Sequence, residues 1–246
     1  MNNNLFAFYK EVKQLDLSRF DLVLNDFEPV SAWAARRQGK ASISISHQNA
    51  FRYSVPLKGA SWLDKKIIHY FAPAQHHIGL HWYHFDQPIL PPIVHTQKEQ
   101  VAGEDFVLVY LPFESLHEIA ELLLRFSKQR FVCYHPDIIE EQIVDNVHYL
   151  PLSFHGFQYH LNRCNGVIAN GGFELPSEAL TLGKKLLLKP LSGQFEQMSN
   201  VATLEDLGLA SCMDMLDASI VRQWLDEEQA ESCLLYTSPS PRDWMV

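Results

Sequence analysis

No paired-cysteine motif, no long hydrophobic run and no basic cluster occurs in these 246 residues, and each absence removes a class of protein. Cys133, Cys164, Cys212 and Cys233 lie far apart with no Cys-x-x-Cys, which fits a reducing compartment. No apolar stretch reaches the roughly 18 residues of a membrane span, and the opening MNNNLFAFYK lacks the apolar core of a signal peptide. The expected location is therefore the cytoplasm, with peripheral contact at the inner face of the cell membrane as the closest approach to lipid. A net charge of -9 without a Lys/Arg run argues against nucleic acid as a partner, because binding a phosphate backbone needs a concentrated basic surface. An anionic small ligand needs only local donors. At 47% apolar and 20% charged, the chain is globular and long enough for one large or two ordinary domains.

What is present concentrates in residues 166–200, GVIANGGFELPSEALTLGKKLLLKPLSGQFEQMSN. Val167, Ile168 and Ala169 suit a buried parallel strand, which Asn170-Gly171-Gly172 breaks. A helix then begins around Pro176 and Glu178, and Gly183 can end it. Leu186, Leu187 and Leu188 form a second buried strand running into Pro190-Leu191-Ser192-Gly193, after which Gln194, Glu196, Gln197 and Asn200 open another helix. Loops leaving the carboxyl ends of parallel strands share one rim, where ligands bind, so both polar loops are expected to face one ligand space.

The residue types suggest the guest. Glycines at a strand-to-helix turn let backbone N–H groups approach a phosphate, and the helix amino terminus adds partial positive charge. Gly171 and Gly172 therefore suit a diphosphate. Glu178, about one helical turn beyond, can accept two hydrogen bonds from the vicinal hydroxyls of a ribose. Gln194, Glu196 and Gln197 offer amides and a carboxylate for sugar hydroxyls. Lys184, Lys185 and Lys189 could attract phosphate, although solvated lysines at strand ends are commonplace. For Gly171-Gly172 or Glu178 alone, a tight turn or a solvated helix residue is the simpler reading; their co-occurrence with the second loop favours a nucleotide-sugar.

The sequences GGFELPSEAL and GKKLLLKPLSGQFEQMSN resemble the donor-binding signature of GT-B glycosyltransferases, the group that includes the lipid-linked peptidoglycan N-acetylglucosaminyltransferase and the UDP-glucuronosyltransferase-like enzymes. DFEPVSAWAA and SISHQ, in the amino-terminal half, are similar to stretches of a poorly characterised prokaryotic branch of that group. The resemblance spans most of residues 18–226. It implies an α/β fold of two Rossmann-like domains facing across a cleft, a nucleotide-sugar donor, roles for Gly171 and Gly172 under the diphosphate, Glu178 on the ribose, Glu196 and Gln197 on the sugar, and no metal or other cofactor.

Both ends read as irregular. Residues 233–246 resemble a translated sequencing adapter and are expected to be non-native. The family's opening strand and glycine-rich loop have no counterpart, so residues 1–95 are expected to form a partial acceptor-side domain, residues 96–105 a linker, and residues 106–232 the donor-binding domain. In the first domain the predicted strands are 21–25, 41–46 and 78–85, with helices from Pro29 to a stop at Gly39 and over 62–71. In the second, strands at 106–110, 130–134 and 147–150 and helices at 115–127 and around 157–162 precede the glycine turn.

An inverting transfer needs a base near the acceptor hydroxyl. Asp26, Glu28 and His47 each follow a predicted strand and are the candidates, Asp26 and Glu28 foremost. Asp26 can equally be a helix cap and His47 a buried histidine bonded to backbone. His76, His77, His81 and His84 have a spacing that would suit zinc on a helix, but Gly79 and the aromatic residues favour a strand, with His81 and His84 on opposite faces. Of Phe154, Phe157 and Tyr159, one could stack on the base, with core packing the expected role of Phe157. The reading is a glycosyltransferase fragment that uses a nucleotide-sugar, UDP foremost, and an acceptor that is an unknown glycan or lipid. A non-hydrolysing nucleotide-sugar epimerase and a non-catalytic nucleotide-sugar-binding protein are the alternatives.

Overall fold

A computed structural model describes residues 5–94 and 103–227. The chain divides into two compact units, one running to Ile93 and the other starting at Val94. Most of the expected linker and all of the expected non-native tail lie outside the described residues.

The first unit contains α1 (Leu5–Gln14), β1 (Leu22–Asn25), α2 (Pro29–Gln38), β2 (Ala41–Ser46), α3 (His47–Ala50), α4 (Trp62–Tyr70), β3 (His76–Leu80) and β4 (Ile89–Leu90). The four strands form one parallel sheet in sequence order. Small residues set its packing: Ser42, Ser44 and Ser46 of β2 are buried, as are Ala32, Ala34 and Ala35 of α2. Val12 and Leu17 join Val23, Ala34 and Ala35 in a small core. Pro29 starts α2 with its φ already fixed, and Gly39, in the left-handed region at φ 64°, ends it. Gly79 is held against α3, where an added Cβ would lie 2.8 Å from the Cα of Ala50. β3 stops at Leu80, short of the expected Phe85, because Phe85 and Asp86 take left-handed conformations in the turn that leads to β4.

The second unit contains β5 (Val107–Tyr110), α5 (Leu116–Leu123), β6 (Phe131–Tyr134), β7 (Gln142–Val144), β8 (Val147–Leu150), α6 (Phe154–Arg163), β9 (Gly166–Asn170), α7 (Glu174–Thr181), β10 (Lys185–Lys189), α8 (Phe195–Asp206), β11 (Ser211–Cys212) and α9 (Ala218–Asp226). Its sheet runs β11-β10-β9-β5-β6-β8-β7, parallel except for the β7–β8 hairpin. Without that hairpin strand the order is the doubly wound one, with the direction of winding reversing between β5 and β9. Val107, Val109, Phe131, Cys133, Ile168 and Leu187 share a core with Ile119, Leu122 and Leu123 of α5 and Val221 and Trp224 of α9. Tyr110 and Tyr134 instead meet Phe157 of α6, each edge-on at 5.3 Å between ring centroids. The central strands are buried on both faces, which is why they read as unbroken apolar runs rather than alternating ones.

Candidate functional site

β9 and β10 are parallel neighbours whose last residues, Asn170 and Lys189, pair in register. The loops that follow consequently leave one edge side by side, next to the reversal point where a crevice opens in such sheets. They are locked together. Gly171 N–H and Asn170 Nδ2 both donate to Lys189 O, at 3.2 and 3.1 Å, and Asn200 Nδ2 donates to Gly171 O at 3.1 Å. A Cβ at Gly171 would lie 2.5 Å from Val201 Cγ2 and 2.9 Å from Gln197 O, whereas one at Gly172 would meet nothing within 4 Å.

These contacts correct the expected action of the glycines. The Gly171 N–H is committed to Lys189 and the Gly172 N–H to Asn170 O at 2.9 Å, so neither is presented outward as a phosphate donor. Gly171 permits α8 to close on β9, and Gly172 leaves space above the turn. Outward donors arise one step later. No side chain caps α7, and among the described residues no acceptor meets the first-turn N–H groups of Glu174 and Leu175. That end of the helix carries unsatisfied donors and partial positive charge.

Beside it lies a cavity of about 240 Å³, lined by Tyr110, Tyr134, Leu152, Ser153, Phe154, Phe157, Gln158, Glu174, Leu175 and Glu178. Glu178 is half-buried here, and its Oε2 accepts from Gln158 Nε2 at 3.0 Å, which orients the carboxylate and leaves further acceptor sites. Tyr134 Oη bonds His160 Nδ1 at 2.8 Å, and burial pushes its phenol up to about 12, so it stays protonated. Phe157 packs against both tyrosines, as expected. Phe154 is 76% exposed on the cavity wall, while Tyr159 lies outside the lining beneath the Arg163 guanidinium. Ser153 caps α6 by accepting from Gly156 N.

The second loop differs in detail from expectation. Gln197 is buried, and its Oε1 accepts from Leu191 N at 3.0 Å, closing the turn rather than facing outward. Gln194 is exposed at the start of α8, which has no side-chain cap, and Glu196 is half-buried in the first turn. None of these three lines the Glu178 cavity. At the foot of the loop, Lys189 Nζ meets Glu114 Oε1 at 2.7 Å, and Asn170 Nδ2 approaches the same oxygen at 3.5 Å.

In the first unit, Asp26, Glu28, His47 and His81 all follow carboxyl ends of parallel strands. Glu28, not Asp26, is the cap of α2. Its carboxylate accepts from Val30 N at 2.7 Å, Ser31 N at 2.7 Å and Ser31 Oγ at 2.6 Å. Burial works to raise its pKa, but these hydrogen bonds outweigh it and hold it below the ordinary value. Asp26 accepts no hydrogen bond among the described residues, and desolvation raises its carboxyl above the ordinary value. It is turned outward by Phe27, which adopts φ 51° and packs on Phe71, and by Asn25, whose amide ties Glu28 O and Ser31 Oγ. His47 is buried, with Nδ1 donating to Leu80 O at 3.0 Å, and its ring lies edge-on to Phe51 and His81. That places it as a packing residue rather than a base at an open rim. His81 is fully buried, and among the described residues neither of its ring nitrogens has a hydrogen-bond partner. Among the described residues no group of three or more His, Cys, Asp or Glu side chains is arranged to hold a metal.

Sequence reasoning missed Glu114, Tyr110, Leu152 and Gln158. Tyr110 ends β5 and Glu114 lies in the loop after it, beside the reversal of winding, an order that becomes visible only once strands are paired.

The chain matches the profile described as Glycosyl transferase family 1 over residues 1–228. No curated protein matches it. Among solved structures, the glycosyltransferase SnogD from Streptomyces nogalater superimposes with a TM-score of 0.62 at 15% identity, over 93% of this chain and 71% of that one. The calicheamicin glycosyltransferase CalG4 gives 0.59 at 14% identity, over 94% and 72%. The spinosyn rhamnosyltransferase SpnG, complexed with thymidine diphosphate, gives 0.57 at 13% identity, over 91% and 70%. At such identities the likeness speaks for the fold, while the profile, spanning most of the sequence, speaks for the family: this chain belongs to glycosyl transferase family 1 and has the GT-B type of α/β fold.

Proposed function

We propose that the chain carries the donor half of an enzyme that moves a hexose or N-acetylhexosamine from a nucleoside diphosphate sugar to an acceptor hydroxyl. The observation that carries the reading is the pairing of β9 with β10. Their loops are bonded to each other at one edge, beside the uncapped α7 and the cavity containing Glu178. In this arrangement the base lies against Phe154 and Leu152, the ribose hydroxyls meet Glu178, and the diphosphate sits on the first turn of α7. The helix terminus stabilises the diphosphate as it leaves. Gly172 gives the diphosphate room. The donor sugar extends toward Gln194 and Glu196, with Gln197 shaping the loop beneath. No divalent ion is part of this reading.

SpnG was solved with thymidine diphosphate, which supports a nucleoside diphosphate as the ligand class. A carboxylate that chelates vicinal hydroxyls favours ribose over deoxyribose, so UDP is the proposed nucleotide. Asp26, outward and with a raised pKa, is the proposed base toward an acceptor of glycan or lipid type. The action is placed in the cytoplasm, with peripheral membrane contact if the acceptor is lipid-linked; no helix among the described residues is long and apolar enough to cross a membrane. The specific relation to the prokaryotic branch near the peptidoglycan and UDP-glucuronosyltransferase-like enzymes belongs to the same proposal.

Calorimetric titration tests the site. UDP is expected to bind more tightly than thymidine diphosphate, and Glu178→Ala to weaken UDP by about tenfold, the loss of hydrogen bonds to a charged group. Equal affinity of wild type and variant for UDP would remove Glu178 from the site.

A further inference from the structure

Helix α4 is attached to the first unit by little of its surface. Of its nine residues only Ile68 is buried. Ile68 O accepts from Arg52 Nη1 at 2.7 Å, and just past the helix Phe71 packs on Phe27 while its carbonyl accepts from Trp33 Nε1 at 3.1 Å. At 3.6 residues per turn, the side turned away from Ile68 carries Trp62, Leu63, Lys66, Ile67 and Tyr70. The four apolar members are 71%, 52%, 44% and 67% exposed in that order. Single apolar side chains on a surface need no explanation, but four together on one helix face mark an interaction site. The helix itself is well made, since Ser61 and Asp64 close a reciprocal capping box at its start.

The charges around this face define the partner. Lys66 Nζ lies over the Trp62 ring at 5.0 Å, and Lys65 is exposed beside it. At the Phe71 end, Arg36 lies over the Trp33 ring at 5.2 Å. The one carboxylate of the helix, Asp64, is taken up by the capping box. No basic run marks the sequence here, because Arg36 arrives from α2. The contrast extends beyond the helix: residues 5–94 hold ten Lys/Arg against seven Asp/Glu, a net of +3, whereas residues 103–227 hold eight against eighteen, a net of -10. In a chain of net charge -9, the exposed apolar helix therefore belongs to the cationic part. Trp and Tyr toward the two ends, with lysines between them, make up a helix suited to a bilayer interface, its rings at headgroup level and its ammonium groups reaching the phosphates. At about 14 Å long, α4 can lie along that interface and cannot cross it.

We propose that α4 is a membrane-docking helix, which seats Trp62, Leu63, Ile67 and Tyr70 in the headgroup region of a bilayer containing anionic lipid and sets Lys65, Lys66 and Arg36 on its phosphates. The docking does not depend on the donor reading; it gives the peripheral membrane contact of that reading a definite place on the chain.

Co-sedimentation of the whole chain with vesicles tests this. Wild type is expected to pellet with vesicles of equimolar phosphatidylcholine and phosphatidylglycerol, less with phosphatidylcholine alone, and less again as salt is raised. Trp62→Ser combined with Tyr70→Ser is expected to weaken binding by about tenfold or more, and Lys65→Gln or Lys66→Gln by about fivefold each. Should the double variant lose its cooperative urea transition, the single lysine variants decide. Wild type that stays in the supernatant with both kinds of vesicle, or variants that bind as wild type does, overturns the inference. So does an equal loss in Leu5→Ser combined with Phe6→Ser, which removes exposed apolar groups from α1 instead. Sedimentation velocity without lipid addresses a second copy as the occupant: a wild-type dimer that the Trp62/Tyr70 variant turns into a monomer, with no vesicle binding, overturns the inference too. Vesicle binding by a chain that fails to bind UDP leaves it standing and removes only the donor reading.

Discussion

At Gly171 the absence of a side chain decides how closely α8 approaches β9. A methyl group would press on both Val201 and the Gln197 carbonyl, and the backbone atom cannot turn aside. Gly171→Ala is expected to destabilise the protein by about 1–3 kcal/mol, as overpacking does, and to lower UDP affinity by shifting the loop after β10; urea denaturation and calorimetry measure the two effects. The sequence marked this glycine as important but for a different reason, since a glycine that admits a phosphate and one that admits a helix look alike in a single chain. Glu28 teaches the same lesson. Asp26 and Glu28 both precede Pro29 and its helix, and either could cap it; the left-handed Phe27 between them sends Glu28 to the helix and Asp26 outward. The positive φ at Phe27 accompanies its packing on Phe71, and no local pattern announces it.

Among elements, the buried strands were the most legible. β2 and β8 coincide with the predicted 41–46 and 147–150, and β1, β5, β6, β9 and β10 differ from their expected spans by one residue at an end or by an extension at both. Their apolar runs are bounded by Asn, Gly and Pro, which is strong punctuation. Short pairings were not legible: β4 and β11 have two residues each, and β7 is an exposed edge strand that owes its place to the hairpin with β8. Helix starts carry the functional distinction. α6 is capped by Ser153, whereas α7 and α8 have no side-chain cap. Ser153→Ala is accordingly expected to cost about 1 kcal/mol of stability and, because Ser153 also lines the Glu178 cavity, to disturb the Phe154 wall. Thermal melting with and without UDP checks this, the ligand-induced shift becoming smaller than in wild type.

For the molecule as a whole, half-buried His77 and fully buried His81 contribute to the response to acid. Desolvation, aided by Arg52, lowers His77 to about 4, and burial beside His47 holds His81 well below the ordinary value. The unfolded chain therefore takes up protons below about pH 6.5 that the folded chain refuses. Stability is full above that pH and declines on acidification toward 4, where His77 itself titrates. Urea midpoints at pH 7 and pH 5 measure it, with the lower value expected at pH 5. His81→Leu is expected to flatten the dependence, since its ring nitrogens have no partners to lose.

The central claim is that the first turn of α7, next to the joined loops of β9 and β10, receives a nucleoside diphosphate. Amide hydrogen exchange with and without saturating UDP addresses it directly. The account predicts that Glu174 and Leu175, whose N–H groups meet no acceptor among the described residues, become protected together with the cavity wall at Ser153 and Phe154. Bound UDP that leaves Glu174 and Leu175 exchanging as before, with protection arising elsewhere, would contradict it.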